Sequence, residues 1–541
     1  MNKRLVAVGM VLAMMAGSLV GCQKGASGTA ASSSGGSGDS GKVKLTALFV
    51  SHPLTQSIED MEWVQELEDQ CGVEIVWEQI YTDWNTVKST RLASGDIPDL
   101  LFNATADSDY TTYTGLFQDL TELIDTSAPN IKQMFEEEPD TRILAETMEG
   151  QIYGIPKFQG KWPETNTVMF INQQWLDNLG LEMPTTFSEL KTVLKAFKEQ
   201  DANGNGDLSD EVPLDFNGWF GGAYSLTNLL GALGIQMTDW SGDGYFAEDG
   251  IVKNYAVDER YKLFMEYVSD LYAEGLINPN SITNDYSAFQ SLSRGNEKGD
   301  ALVGVTFGWE ETDKFGPTLY TQYRAMAPLD YDIDCAVGTY DTRWRNDYTG
   351  LNMSSNRVSM SAKCKNQEAA MKFIDAFYEE TASVESLFGG ITDGCIEKVA
   401  DKQYKVLAPL DESTDPGTWK WTSTFADNGP MYIRRDIEIE MSQDMTNALN
   451  EREVYKEAIA KASKEDTYPQ MFMKYSAEDQ NTMSVLQANI NTITDNYWAL
   501  WLTGESNMEA DWENYVASVK SAGLDEILAI RQKAFDTYLN Q

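Results

Sequence analysis

Histidine and positive charge are both scarce in this sequence. Its 541 residues include one histidine, His52, and 41 lysines and arginines stand against 84 aspartates and glutamates, so the formal net charge is −43. A single histidine excludes a zinc site that needs two imidazole ligands, and a Ser-His-Asp triad would have to include His52. Negative charge scattered along the chain at this level repels phosphate backbones and anionic lipid surfaces. We therefore exclude nucleic-acid binding.

Long apolar runs and cysteine motifs are also missing from most of the chain. Beyond residue 22 no apolar run is long enough to span a bilayer, so we expect the body of the protein not to carry solutes across a membrane itself. After Cys22 there is no CxxC motif and no cysteine-histidine pair at metal-ligand spacing. The four remaining cysteines could form three alternative sets of disulfides or stay free, and they are Cys71, Cys335, Cys364 and Cys395.

The residues that are abundant predict a large folded body behind a short leader. With 42% hydrophobic and 11% aromatic residues the chain can bury a sizeable core, and its length allows about three to four domains or two large lobes. Lys3 and Arg4 precede an apolar run from Leu5 to about Val20, which is typical of a signal peptide. Residues 19–22, Leu-Val-Gly-Cys, resemble a bacterial lipobox, and this resemblance implies that Cys22 becomes the lipidated first residue of the mature protein.

The segment after the lipobox predicts a tether. Of the 19 residues from 23 to 41, 16 are Gly, Ala, Ser or Thr, a composition that cannot bury enough apolar surface to order itself. We therefore predict a lipoprotein signal peptide and lipobox at 1–22 and a flexible tether at 23–42. The protein would then be held at the extracellular face of the cell membrane by its lipid anchor only.

The body begins with alternating strand and helix patterns. Such alternation favours an α/β fold with a largely parallel sheet, in which ligands bind beyond the carboxyl ends of the strands. Strands are predicted at 43–50, 73–77 and 99–102, and helices at 56–70, 84–93, 187–200, 259–274 and 367–380. From residue 451 onward the pattern is mostly helical.

Four passages, in order along the body, resemble the extracellular solute-binding proteins of bacterial ATP-driven importers, in particular the family 1 type that binds carbohydrates. They are 93–99 (ASGDIPD), 149–156 (EGQIYGIP), 170–187 (FIN, WLDNLG and PTTF) and 366–373 (NQEAAMKF). The resemblance implies a two-lobe periplasmic-binding-protein-like fold, with a hinge, a ligand cleft between the lobes and a helical C-terminal part. It places 43–158 with 300–358 in lobe one, and 159–299 with 359–541 in lobe two.

The same resemblance implies a function without catalysis. A monomeric, lipid-anchored receptor would capture an oligosaccharide by lobe closure and deliver it to the permease subunits of an ABC transporter. Two alternatives stay open: a surface glycoside-processing enzyme, and a receptor of the same fold for peptides or polyamines. The net charge suits a cationic ligand, whereas the supply of tryptophan favours a neutral sugar. An anionic sugar would need local cations such as Arg343 or Arg345.

Residues 201–211 (DANGNGDLSDE) form the sharpest local motif. Oxygen-bearing side chains at positions 1, 3 and 5 and glycine at position 6 are what an EF-hand calcium loop requires, and the position-7 main-chain carbonyl can add a ligand. Position 12 is Val212 instead of glutamate, but some members of the importer family carry a similar loop that ends in Asp-Glu. We therefore expect a variant, structural Ca²⁺ site, whose ligands are Asp201, Asn203, Asn205, Asp207, Asp210 and Glu211.

Fourteen tryptophans and 25 tyrosines suit sugar recognition, because an indole covers the apolar C–H face of a pyranose. Trp309 is the first candidate, since the apolar run at 301–308 would deliver it to the carboxyl end of a strand. The further candidates for the cleft, each of which could equally be a core or rim residue, are Trp84, Trp162, Trp219 and Trp344. His52 could also face the cleft.

The acidic residues beside Trp309 carry the enzyme alternative. Glu310 and Glu311 are the best pair for a glycosidase, which needs two opposed acids. Neighbours on a strand point to opposite faces, so Glu310 is more plausible as a hydrogen-bond acceptor for sugar hydroxyls. The sequence contains no nucleophile elbow, phosphate-binding loop or HExxH motif. We therefore predict a binding protein and not an enzyme.

Overall fold

The structure is a computed structural model that describes residues 41–218, 221–238, 240–347, 351–409, 419 and 421–541. The described strands are β1 (Val43–Val50), β2 (Val73–Ile80), β3 (Leu100–Phe102), β4 (Gly154–Gln159), β5 (Val168–Asn172), β6 (Val212–Leu214), β7 (Tyr245–Glu248), β8 (Ile251–Asn254), β9 (Val303–Gly308), β10 (Tyr323–Ala325), β11 (Met353–Met360), β12 (Ile396–Ala400), β13 (Gln403–Val406), β14 (Tyr432–Ile433) and β15 (Glu438–Glu440). The predicted leader, Cys22 and almost all of the predicted tether lie outside the described residues.

The described helices are α1 (Glu62–Cys71), α2 (Trp84–Ser94), α3 (Asp107–Thr112), α4 (Thr121–Ser127), α5 (Pro129–Glu137), α6 (Pro139–Ala145), α7 (Gln173–Leu179), α8 (Phe187–Glu199), α9 (Glu259–Ala273), α10 (Tyr286–Ser293), α11 (Glu311–Leu319), α12 (Gln367–Ala376), α13 (Glu380–Phe388), α14 (Gln443–Glu451), α15 (Lys456–Ala460), α16 (Ala477–Thr503), α17 (Met508–Ser521) and α18 (Leu524–Leu539). None of these helices is both long and apolar enough to cross a membrane. The four cysteines beyond Cys22 are free.

The first sheet has the strand order β14-β4-β11-β3-β1-β2. β1 runs parallel to β2 and β3, whereas β11 is antiparallel to both β3 and β4. Because β11 is antiparallel to both of its neighbours, β4 runs in the same direction as β3 and β1. The inward positions of β1, among them Leu45 and Ala47, are fully or almost fully buried, as the strand pattern predicts.

The second sheet has the order β10-β5-β9-β6, with β9 antiparallel to β5 and parallel to β6. Helix α8 packs on this sheet through a buried stripe that includes Leu190, Leu194 and Phe197, and its first turn is capped because the Thr186 hydroxyl accepts from the Glu189 amide. Gly304 of β9 lies so close to α8 that an added Cβ would be 2.4 Å from the Phe197 ring. The sequence therefore keeps glycine where strand and helix approach most closely.

The α/β class agrees with the prediction, but the two larger of the four described sheets mix parallel and antiparallel pairs instead of being largely parallel, and the predicted lobe boundaries are wrong in two places. β9 and β10 lie in the range 300–358 assigned to lobe one, yet they hydrogen-bond to β5 and β6 in the second sheet. In the range 359–541 assigned to lobe two, α12 packs against α1, and β14 pairs with β4 in the first sheet. Strand pairing between distant segments decides lobe membership, and local sequence does not encode it.

The chain crosses between the two sheets along three stretches of the described residues. Residues 160–167 join β4 to β5, residues 326–347 and 351–352 belong to the connection from β10 to β11, and the third stretch runs from the end of β14 through α14, which packs against α11, to Arg452. The C-terminal helix α16 packs against α9, α17 and α18, so the predicted helical C-terminal part is confirmed. These crossings define where a hinge can lie.

Candidate ligand-binding cleft

The carboxyl edges of both sheets adjoin the same short crossing. Residues 160–167 leave the carboxyl end of β4 and enter the amino end of β5, where Val168 pairs with Gly308 at the carboxyl end of β9. Because ligands of α/β sheets bind beyond the carboxyl ends of the strands, the region around this crossing is the candidate cleft.

A buried ion pair ties the first crossing to the second. The Arg345 guanidinium and the Asp347 carboxylate are 3.0 Å apart, and their side chains are 1% and 5% exposed. Asp347 Oδ2 also accepts from the Asn166 amide at 3.1 Å, and Arg345 Nη2 donates to Asn166 Oδ1 and Thr167 Oγ1, both at 3.1 Å. Arg345 is therefore buried between the first and second crossings, and its guanidinium is already engaged and not available to an anionic sugar.

Arg452 ties the third crossing to the first and holds Trp309. Its Nε donates to the Thr165 carbonyl at 2.6 Å, and its Nη2 donates to the carbonyls of Asn166 at 3.2 Å and Trp309 at 2.7 Å. The guanidinium carbon also lies 4.2 Å from the centre of the Trp309 ring, at cation–π distance. Burial lowers the pKa of Arg452 to about 10, so the group stays charged at neutral pH.

Trp309 follows β9 directly, as predicted, and its side chain is half-buried. It packs against an apolar cluster that contains Trp162, so the structure brings these two sequence candidates together. Trp162 itself is 8% exposed and contacts Phe388 edge-on, with ring centres 6.3 Å apart. Trp162 therefore packs in the same apolar cluster as Trp309 and exposes little of its own surface to a ligand.

Trp84 and Trp344 do not offer a face to a ligand, which corrects the sequence expectation for both. Trp84 is 6% exposed and donates to the Ala104 carbonyl at 2.9 Å, while Trp344 is 2% exposed and stacks on Tyr455 with ring centres 4.3 Å apart. Burial of an indole in a packed core leaves no face for a sugar. Trp219 lies outside the described residues.

Glu310 is also placed differently from the expectation. It is 1% exposed, and its Oε2 accepts from the Asp313 amide at 2.9 Å, which caps the N-terminus of α11. Its Oε1 accepts from the Asn447 side chain at 3.2 Å. Both carboxylate oxygens therefore serve the fold, and the role of Glu310 as an acceptor for sugar hydroxyls is wrong.

An aromatic pair at the carboxyl end of β1 was only partly foreseen. The His52 ring stacks on Trp421 with centres 4.2 Å apart, and both side chains are half-buried. His52 Nδ1 accepts from the Leu54 amide at 3.2 Å, and burial lowers the pKa of the imidazole. The position of His52 after a strand signalled its place, whereas Trp421 carries no local pattern that would link it to β1.

Trp240 was missed by sequence reasoning. It is 46% exposed, and the guanidinium carbon of Arg345 lies 5.8 Å from its ring centre. The polar, glycine-containing stretch around Trp240 is a signal of exposure that could have identified it.

Polar groups line the carboxyl edge of the first sheet. Asn103, directly after β3, has a left-handed φ of 52° and donates to the Val50 carbonyl at 2.9 Å. Arg357 donates to Asn103 Oδ1 at 2.6 Å and to the Asp427 carbonyl at 3.3 Å, and burial lowers its pKa to about 10. Amide and guanidinium groups in this position can hydrogen-bond ligand hydroxyls.

In the 201–211 loop, side chains accept hydrogen bonds from main-chain amides of the same loop. The Asp201 and Asn205 side chains accept from the main-chain amides of Gly206 at 3.0 Å and Asp207 at 2.7 Å. The exposed Asp207 carboxylate instead accepts from the Ser209 amide at 3.0 Å. The role of the position-7 main-chain carbonyl as a calcium ligand stays a prediction.

The donor set of this loop fits Ca²⁺. Asp201 Oδ1 and Glu211 Oε2 are buried and have no hydrogen-bond donor, and burial raises the pKa of Glu211. Asp210 accepts from the side-chain amides of Asn203 at 3.1 Å and Asn205 at 2.8 Å, so these side chains converge. Orphaned carboxylate oxygens among converging amides are the oxygen ligands that calcium prefers.

The chain is similar in sequence to known bacterial binding proteins. A family profile described as bacterial extracellular solute-binding protein matches residues 55–383. The fructooligosaccharide ABC transporter substrate-binding protein FusA of Streptococcus pneumoniae is 27% identical over 513 residues, which cover 92% of this chain and 91% of FusA.

The structure is similar to solved structures of the same kind. An HMO-binding, ABC-transporter-associated solute-binding protein from Bifidobacterium longum infantis is 31% identical with a TM-score of 0.84, covering 92% of this chain and 99% of that chain. FusA in complex with kestose is 26% identical with a TM-score of 0.75 and the same coverages. An EF-hand mutant of FusA has also been solved in complex with fructo-nystose, with 26% identity, a TM-score of 0.74 and the same coverages.

Proposed function

The chain belongs to the bacterial extracellular solute-binding protein family, and we propose that it captures a neutral oligosaccharide by lobe closure and delivers it to an ABC transporter permease. The observation that carries this proposal is the half-buried Trp309, which Arg452 holds at the carboxyl edge of the second sheet where three crossings meet. The stacked pair His52 and Trp421 gives the first lobe an aromatic surface at its own carboxyl edge. Ligand contacts on both lobes would stabilise the closed form.

Two of the relatives and the local charges favour an uncharged ligand, whereas a third relative, YtcQ of Bacillus subtilis, which is 26% identical over 332 residues, is named a polygalacturonan/rhamnogalacturonan-binding protein. FusA binds kestose and fructo-nystose, and the Bifidobacterium protein is described as HMO-binding. Arg345 and Arg343, the cations that would receive an anionic sugar, are already engaged: Arg345 pairs with Asp347, and Arg343 lies 3.2 Å from Asp341 and 3.6 Å from Asp466.

We infer that ligand capture involves no catalysis. A glycosidase needs two carboxyl groups that flank the scissile bond about 5 to 10 Å apart in an accessible cleft. Glu310 is buried with both oxygens hydrogen-bonded, so the pair formed by Glu310 and Glu311 does not present this arrangement.

Calorimetric titration with a glycan panel tests the proposal. The panel contains kestose, nystose, an HMO mixture, an oligogalacturonide and spermidine, and the titrated solutions are then analysed for cleavage. We expect a neutral oligosaccharide to bind and stay intact, and Trp309→Ala to weaken binding about 10- to 100-fold, as loss of a central aromatic anchor does. Trp512→Phe, a control in the C-terminal helices, should bind normally. Cleavage, binding of spermidine alone or of the oligogalacturonide alone, or unchanged affinity of the Trp309→Ala variant would contradict the proposal.

We further propose that Cys22 carries the lipid anchor and that residues 23–42 tether the body to the membrane. The lipobox-like residues 19–22 and the Gly- and Ser-rich composition support this. Expression in a Gram-positive host should place the protein in the membrane fraction, and Cys22→Ser should release it to the medium or leave it unprocessed without incorporation of labelled palmitate. Palmitate labelling that persists in the variant would contradict the anchor.

We also propose that the 201–211 loop binds a structural Ca²⁺. The buried, donor-less oxygens of Asp201 and Glu211 support it, and the relative FusA carries an EF-hand. Calcium should raise the melting temperature of chelator-treated protein, and Asp201→Asn should abolish the part of the increase that the loop supplies. Glu199→Gln, on the exposed end of α8, is the matched control. An equal response of both variants would contradict a calcium site in this loop.

A further inference from the structure

Three carboxylates converge beside the third crossing, outside the cleft residues and the 201–211 loop. One side-chain oxygen from each of Glu310, Glu311 and Glu451 lies within 4.8 Å of the corresponding oxygens of the other two. Glu310 and Glu311 begin α11, whereas Glu451 ends α14. We call these three residues the carboxylate triad.

The geometry of the carboxylate triad fits one metal ion. Oxygens bound to a single Ca²⁺ at about 2.3 to 2.6 Å can be at most about 5 Å apart, so the separations in the triad allow all three to reach a common ion. The triad adjoins a groove of about 510 Å³ that Asn447 and Asn450 also line, so amide oxygens and solvent can complete the coordination.

A second observation points to a missing positive ligand. The Glu451 side chain is 9% exposed, and its Oε2 is buried without any hydrogen-bond donor, while its Oε1 accepts from the Glu311 amide at 3.0 Å. The nearest guanidinium atom, Arg452 Nη1, is 4.0 Å from Oε2 and donates to the Ala448 carbonyl instead. A buried carboxylate oxygen without a donor is costly unless a cation binds it or a proton neutralises it.

The local charge balance supports a cation in addition to Arg452. Arg324, which lines the same groove, donates to the main-chain carbonyls of Thr321 and Tyr323. Arg324 and Arg452 Nη1 therefore donate to main-chain carbonyls and not to the carboxylates of the triad.

We propose that the carboxylate triad is a second divalent-cation site, selective for oxygen-preferring ions such as Ca²⁺, that fastens the end of α14 to the start of α11. The ion would bridge the third crossing to the segment that follows Trp309. Neither the oligosaccharide ligand nor the 201–211 loop enters the argument for this site.

Calcium titration of the chelator-treated full chain tests the site directly. The wild type should bind two Ca²⁺ ions, and an Asp201→Asn, Asp210→Asn loop variant should bind one. Adding Glu451→Gln to the loop variant should remove the remaining ion, whereas adding Glu453→Gln, an exposed neighbour, should not. If the 201–211 loop does not bind calcium but the carboxylate triad does, the wild type should bind one ion. The loop variant should then keep this ion, and Glu451→Gln should remove it.

Two further readouts separate metal binding from a purely structural role. Without metal, Glu451→Gln should melt at the same temperature as the wild type or higher, because it removes a buried negative charge. With calcium, Glu451→Gln in the loop variant should abolish the increase in melting temperature that the loop variant alone still shows. Terbium in place of calcium should luminesce on tryptophan excitation in the loop variant, and Trp309→Phe should weaken that emission. A loop variant that binds no Ca²⁺, Mg²⁺ or Mn²⁺, or a remaining site that survives Glu451→Gln, overturns the proposal.

Discussion

The buried ion pair between Arg345 and Asp347 leads to a specific prediction about the free energy of unfolding. Asp347→Asn keeps the side-chain shape but removes the charge that faces an arginine whose side chain is 1% exposed. Breaking one side of a buried ion pair typically costs about 3 to 5 kcal/mol, because the remaining charge stays desolvated. The new amide oxygen can still accept from the Asn166 amide, so we expect the lower end, about 3 kcal/mol of unfolding free energy.

A double-mutant cycle in equilibrium urea unfolding, followed by circular dichroism and tryptophan fluorescence, checks the origin of this effect. Arg345→Met removes the other charge, and the double variant removes both. We expect the double variant to be more stable than the sum of the single effects by about 2 kcal/mol, since neither charge is then left unpaired. A cost below about 1 kcal/mol for Asp347→Asn, or additive single effects, would refute the assignment of Arg345 and Asp347 as a mutually stabilising buried ion pair.

Three further predictions concern stability and binding. Burial raises the pKa of Glu385 from 4.5 to about 7, so its ionisation costs stability as the pH rises from 4.5 through 7. In thermal melts Glu385→Gln should match the wild type at pH 4.5 and gain about 3 kcal/mol at pH 8, and an equal difference at both pH values would contradict this. Trp84→Ala should lose about 3 kcal/mol of stability and Trp421→Ala mainly ligand affinity, and the reverse pattern in paired melting and calorimetry would disprove their placement. Gly304→Ala should cost about 1 to 3 kcal/mol in urea unfolding because its Cβ meets the Phe197 ring, and a neutral result would contradict that close approach.

Local patterns predicted most elements of the body. The helix predicted at 187–200 forms as α8, because its apolar residues recur at helical spacing and Thr186 caps its first turn. The strand predicted at 43–50 forms as β1 with the same bounds. The spacing of oxygen donors in residues 201–211 likewise predicted the local turn geometry around Gly206.

Long-range relations escaped the sequence reasoning. The run at 301–308 was correctly predicted as a strand that ends at Trp309, and it forms β9 at Val303–Gly308. The predicted lobe of this strand was wrong because its pairing with β5 and β6 depends on distant residues. Glu310 looked available from its place after a strand, yet the start of α11 and Asn447, more than 130 residues away, occupy its oxygens.

The amino-acid sequence by itself determined the α/β class, the family resemblance, the calcium-loop motif and the place of Trp309 after a strand, because each depends on residues close together in the chain. The tertiary structure alone decided which tryptophans expose a face, which lobe β9 joins and how Arg345, Asp347 and Arg452 tie the crossings together. Burial and pairing of these groups arise only when segments hundreds of residues apart pack against one another, and no local spacing records that contact.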